Sequence, residues 1–131
     1  MPSTMIEVRR QYIRDEEVAL IDAVHAALVS AFKIPASDRC VRLISHEPHR
    51  WAVSPKLAQP ERFTVVSIDC FAGRTLDAKR ALYRTIVENL APLGIPADHV
   101  KIVVRDVPKE NWGIRGGKAG SDVELGFKVE V

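Results

Sequence analysis

Apolar positions along this chain follow two rhythms, and the same order of rhythms occurs twice. Val18, Ile21, Val24, Leu28 and Phe32 recur every three or four residues, which sets them on one stripe of an α-helix. Ala78, Leu82, Ile86, Leu90 and Leu93 repeat that spacing. Asp15 and Asp77 head the two patterns, where a carboxylate suits the positive end of a helix. Pro35 stops the first, and Gly94 with Pro96 stops the second. Strand patterns flank both helices: residues 5–8 and 39–44 around the first, 62–71 and 99–105 around the second. Val66, Ile68 and Cys70 share one strand face.

Phe32-Lys33-Ile34-Pro35-Ala36-Ser37-Asp38 is echoed by Leu93-Gly94-Ile95-Pro96-Ala97-Asp98. The chain therefore reads as one unit written twice, with a period of roughly sixty residues. The predicted fold is α/β (α+β): two consecutive βαβ units forming a four-stranded sheet, with two helices on one face. The first unit spans about 2–46, a linker about 47–61, the second unit about 62–106, and a C-terminal turn and strand 107–131. In that last piece Gly113, Gly116, Gly117 and Gly120 make a turn-rich stretch. Val123, Leu125, Phe127, Val129 and Val131 then alternate with Glu124, Gly126, Lys128 and Glu130, predicting a half-buried strand. An apolar strand needs a partner, and a symmetric oligomer supplies one.

Composition narrows the possibilities. The 131 residues are 47% hydrophobic and 27% charged with a net charge of +2, the profile of one globular domain. Acids and bases are interspersed, which argues against a nucleic-acid partner. Cys40 and Cys70 form no CxxC pair and read as reduced structural thiols. The most apolar stretch, 18–34, carries Asp22, His25 and Lys33 and is too polar for a bilayer. No leader pattern opens the chain, so a cytoplasmic location without a membrane partner is expected. His46 and His49 flank Glu47 between prolines, in a loop without a third ligand motif, so no metal is expected. His25 is expected at the edge of the core. The glycines at 113–120 match neither phosphate-binding nor dinucleotide-binding patterns, and no cofactor is implied.

Pro2 is the most informative residue for chemistry. Removal of Met1 would expose it as a secondary amine, and a free α-amino group has a pKa of about 7.7–8.0. Such a group serves as base or acid according to its surroundings. Pro2, Leu20-Ile21-Asp22-Ala23-Val24-His25, Ile34-Pro35-Ala36-Ser37-Asp38-Arg39, Phe71-Ala72-Gly73-Arg74-Thr75 with Lys79, and Asn111-Trp112-Gly113 occur in an informative order. Together they resemble the tautomerase superfamily, and within it the malonate semialdehyde decarboxylase group. The resemblance implies Pro2 as the catalytic amine, Asp38 as the pocket carboxylate and Arg74 as the substrate-carboxylate anchor. Trp112 and Ile114 would wall the pocket, and the assembly would be a homotrimer.

Each residue has a plainer reading. Arg74 suits a surface ion pair, Asp38 has its duplicate in Asp98 as a turn residue, and Trp112 suits interface packing. The family's decarboxylases carry two neighbouring arginines at the strand–helix junction, whereas here Ala72 and Gly73 precede Arg74. That departure favours keto–enol tautomerisation of a 2-keto acid of the phenylpyruvate type. The alternatives are decarboxylation or hydration of a small 3-oxo acid such as malonate semialdehyde, and a non-catalytic oligomeric binding protein of the same fold.

Overall fold

The computed structural model describes residues 2–131. β1 (Ser3–Val8), α1 (Arg14–Phe32) and β2 (Val41–Ser45) make the first unit. β3 (Thr64–Phe71), α2 (Leu76–Leu90) and β4 (Val100–Val107) make the second, followed by a short hairpin of β5 (Gly113–Ile114) and β6 (Lys118–Ala119). The four long strands form one sheet in the order β2-β1-β3-β4. Pairing is parallel inside each unit and antiparallel where β1 meets β3, with Ser3 opposite Asp69 and Val8 opposite Thr64. This central antiparallel pair places the start of β1 at the same end of the sheet as the end of β3. The turn before β2 and the segment after β4 reach that end as well, since Thr4 pairs with Val41 and Phe71 with Val107.

Both helices pack on one face. Leu20, Val24, Leu28 and Phe32 of α1 and Leu82, Ile86 and Leu90 of α2 close over Ile6, Val8, Val66, Ile68 and Cys70. Each fully buried aliphatic side chain contributes ~1.5–3 kcal/mol of transfer free energy. Val18 belongs to the predicted stripe but is exposed. With about 100° between successive helical residues, it falls on the flank of an arc centred on Leu20, Val24 and Leu28. Thr75 caps α2, its Oγ1 accepting from the Ala78 amide at 3.1 Å. The Glu16 carboxylate accepts from the Ile13 amide at the start of α1.

The segment between the units is anchored rather than loose. Arg9 donates to the carbonyl oxygens of Trp51 and Pro48, and the Gln59 amide donates to His99 Nε2. His46 hydrogen-bonds Glu7 at 2.9 Å and meets the Trp51 ring edge-on.

The C-terminal segment departs from expectation. Residues 123–131 are not a strand. Gly126 takes a left-handed φ of 78°, which bends the run away from any straight ladder. The alternation nevertheless decides which side chains turn inward. Val129 is buried with Phe71 and Ile114, and Val123, Leu125 and Phe127 pack against that second cluster. The segment ends against the second unit, where the Thr75 amide and Oγ1 both donate to the Val131 oxygen, at 3.0 and 2.8 Å.

Opposite the helices, the sheet presents Met5, Arg42, Ile44, Val65, Val103 and Arg105, with Ile44 and Val103 exposed.

Candidate active site

The site grows from the loops that share one end of the sheet. After α1, Lys33 adopts a left-handed φ of 58° and the chain turns through Pro35. His25, buried at the core edge, bonds the Ala36 oxygen through Nε2 at 2.8 Å and pins this turn. Amides of Asp38 and Arg39 donate back to the oxygens of Pro35 and Ser37. Asp38 is half-buried, while Arg39 turns outward to pair with Asp22 at 2.7 Å. The repeated loop diverges. Asp98 leaves its side chain 81% exposed and bonds His99 Nδ1 at 2.7 Å. Because His99 Nε2 accepts from Gln59, the proton of the neutral ring sits on Nδ1.

Across the sheet end, β3 runs into Phe71 and a tight corner. Gly73 has a φ of 135°, which strains any residue with a side chain, and a Cβ there would stand a tight 3.2 Å from Cγ1 of Val129. Arg74 follows, 5% exposed, donating from Nη1 to the Phe71 oxygen at 3.3 Å. Its guanidinium carbon lies 4.8 Å from the centre of the Phe32 ring, a cation–π contact. Nε and Nη2 are buried without a hydrogen-bond partner among the described residues. Burial pulls the Arg74 pKa down from its ordinary value, while Cys70, Asp106, Asp38 and Glu130 act to raise it. An arginine so placed stays charged. Asp38 and Arg74, distant in sequence, are thus near enough to interact electrostatically. Beside them burial pushes the Cys70 thiol up to about 11, and Lys79 pairs with Asp106 at 2.8 Å.

Trp112 and Ile114 build the apolar flank. The half-buried Trp112 ring meets Phe71 edge-on with centres 5.2 Å apart and donates from Nε1 to the Val107 oxygen. Ile114 is buried in the same cluster. Gly120 locks this hairpin in place: its amide donates to the Trp112 oxygen at 2.8 Å. A Cβ at that position would lie only 2.6 Å from the Lys109 carbonyl oxygen.

In front of Asp38 lies a cavity of about 370 Å³. It is lined by Pro35, Ser37, Asp38 and Arg39 of the turn after α1 and by Arg115, Leu125 and Phe127. Arg74, Trp112, Ile114 and Pro2 do not line it. Arg74 is linked to its wall electrostatically through Asp38, and Trp112 and Ile114 through the cluster they share with Leu125 and Phe127. Pro2 is buried at the head of β1, where the Thr4 amide donates to Cys40 and Ser3 faces Asp69. The expected loss of Met1 concerns a residue outside those described. Arg115 escaped the sequence reading. It carries no motif, and its only signal is a cation set among glycines, where it adopts a left-handed φ of 50°.

Comparison with known proteins bears on the family and the fold. A family model described as "Tautomerase enzyme" matches residues 38–115. The chain belongs to the tautomerase family. Within that family it is similar to the 2-hydroxymuconate tautomerase of Comamonas testosteroni, 40% identical over 48 residues that cover 36% of this chain and 76% of the relative. It also resembles the FG41 malonate semialdehyde decarboxylase inhibited by 3-bromopropiolate, with 29% identity and a TM-score of 0.78 over 89% of this chain and 92% of that one. A fused 4-OT, solved as a wild-type asymmetric trimer, shares the fold with a TM-score of 0.81 and 22% identity, covering 91% and 96% of the two chains. The tautomerase fold found here is therefore the four-stranded sheet with two helices that the repeated sequence pattern predicts. Among the described residues, no helix is long and apolar enough to cross a membrane.

Proposed function

We propose that this tautomerase interconverts a 2-keto acid and its enol without a cofactor, using the amine of Pro2 as the proton carrier. The observation that carries the reading is Arg74: a buried cation whose Nε and Nη2 have no hydrogen-bond partner among the described residues. Burying such donors unmet is costly, and a substrate carboxylate meets them with charge-assisted bonds. Pro2 would take a proton from carbon and return one to oxygen, so the substrate gains and loses no atoms. Asp38 would orient the reacting group, with Trp112 and Ile114 keeping water away. Reaching Arg74 requires the segment around Val129, which packs against the Gly73 corner, to make room for the substrate carboxylate.

A homotrimer is part of this reading. The sheet face bearing Ile44 and Val103 is uncovered in the single chain, and the fused 4-OT of the same fold is a trimer. Light scattering that returns a monomer at micromolar concentration would remove it.

A second reading has its own support in the 29% identity to a malonate semialdehyde decarboxylase. In that case protonated Pro2 would polarise the carbonyl of a 3-oxo acid and Asp38 would position water. The two part in their pH dependence. Tautomerisation with Pro2 as base rises with pH as the amine loses its proton; decarboxylation with a cationic Pro2 falls. Initial rates on phenylenolpyruvate and on malonate semialdehyde from pH 5 to 9 decide between them. Turnover of the enol that is unaffected by chemical blocking of the N-terminus would overturn the proline mechanism. An intact mass that retains Met1 would instead favour a non-catalytic binding protein.

A further inference from the structure

The corner that leads into α2 and the segment after Gly126 run alongside each other, residue against residue. A Cβ at Gly73 would meet Val129 Cγ1 at 3.2 Å and the Glu130 side chain at 3.6 Å. Glu130 acts electrostatically on Arg74. Thr75 donates to the Val131 oxygen from its amide and from Oγ1, at 3.0 and 2.8 Å. Arg74, buried, is the middle residue of this seam. The segment is held differently on the two sides of Gly126. Upstream, Arg115 Nη1 donates to the Glu124 oxygen at 2.6 Å, and Leu125 packs on the cluster of Phe71, Ile114 and Val129. Gly126 then takes its left-handed φ of 78°. Downstream, residues 127–131 belong to no strand, so no ladder fastens them. Their hold is the burial of Val129, the packing of Phe127 and the Thr75 bonds. A segment held by so few backbone bonds opens locally more readily than a strand does. Thr75 Oγ1 has two tasks, accepting from the Ala78 amide at 3.1 Å to cap α2 while donating to Val131. Aspartate at this position would keep the cap acceptor and lack the donor.

We propose that residues 127–131 are a strap that closes the Arg74 corner, pivoting at Gly126 and latched by Thr75, and that a substrate carboxylate enters by displacing it. This gate rests on the reading of Arg74 as the carboxylate anchor and adds control of access to it. In the closed state Glu130 supplies negative charge beside the guanidinium. On opening, the substrate carboxylate takes over that role and bonds Nε and Nη2, which have no hydrogen-bond partner among the described residues in the closed state. Charge-assisted bonds replace the neutral Thr75 contacts, which favours the exchange. The apparent affinity for substrate is lowered by the fraction of molecules in which the strap is shut. Thr75 is a gating residue here and takes no part in proton transfer.

A thiol on the strap reports its opening. Val129→Cys is made in the full chain with the exposed Cys40 replaced by serine, and labelling by iodoacetamide is followed by mass. Cys70, buried in the main core, is the internal control, because it becomes reactive only when the whole domain unfolds. Position 129 is expected to label while Cys70 stays silent. Thr75→Asp should accelerate labelling of position 129 by about tenfold, the scale of losing a hydrogen-bond donor, with Cys70 still silent. Saturating phenylpyruvate, its binding measured by calorimetry, should also accelerate labelling at 129, and this effect should vanish in Arg74→Ala. Labelling of positions 129 and 70 at one common rate would overturn the strap, since the segment would then open only with global unfolding. Bound phenylpyruvate that leaves the labelling rate at 129 unchanged or lowers it would overturn displacement by substrate. Failure of the tautomerase reading appears separately, as absence of phenylpyruvate binding and enol turnover in a protein whose position 129 still responds to Thr75→Asp.

Discussion

Arg74 lies over the ring of Phe32, its guanidinium carbon 4.8 Å from the ring centre, so the last buried turn of α1 supports the cation at the head of α2. The first unit thereby holds the side chain that the second unit presents, and neither unit builds the corner alone. A charge in this position is held by an aromatic face and a single carbonyl oxygen, and its Nε and Nη2 have no hydrogen-bond partner among the described residues.

Replacing Arg74 tests this directly. Arg74→Lys keeps the charge but loses the planar fork, and KM for a 2-keto enol should rise by roughly tenfold or more with a smaller change in kcat. Arg74→Ala should raise it further. An unchanged KM in both variants would show that the substrate carboxylate lies elsewhere.

Phe32→Leu should act on the same corner from below. It preserves apolar bulk while removing the cation–π contact, worth about 0.5–2 kcal/mol. Chemical denaturation should show a loss of that order, and KM should rise because the guanidinium loses its support.

Cys70 predicts an alkaline limit to stability. Burial raises its pKa from 9.0 in the ordinary thiol to about 11 in the fold. The unfolded chain therefore releases this proton first, so the stability is intact below about pH 9 and declines as pH rises towards about 11. Over that window the loss is on the order of 2–3 kcal/mol. Denaturant titrations at pH 8, 9 and 10.5 should show the decline, and Cys70→Ala should be less stable at pH 8 but lose less with rising pH.

Gly120→Ala should disturb the Trp112 flank. The added carbon would sit 2.6 Å from the backbone oxygen of Lys109 and 3.2 Å from the Phe71 ring, so the hairpin must shift. A destabilisation of about 1–3 kcal/mol is expected, with a change in tryptophan fluorescence as the Phe71–Trp112 contact opens. A thermal melt and emission spectrum equal to wild type would show that this close approach does not constrain the hairpin.

Helix and strand rhythms in the sequence specified both βαβ units, because burying one face of each element requires periodic apolar residues. The echo of Ile34-Pro35-Ala36 in Ile95-Pro96-Ala97 specified their repetition. Alternation from Val123 to Val129 also gave the inward-facing side chains correctly. It could not reveal that Gly126 bends the segment, since alternation reports which side is buried and not what buries it. The candidate site residues were legible as a set only through their family resemblance. Asp38 and Asp98 look alike in sequence, and the fold alone makes one a cavity wall and the other an exposed partner of His99. Arg115 was invisible for the same reason. A side chain's charge is local information, but what it faces depends on which loops the antiparallel β1–β3 pair brings to one end of the sheet.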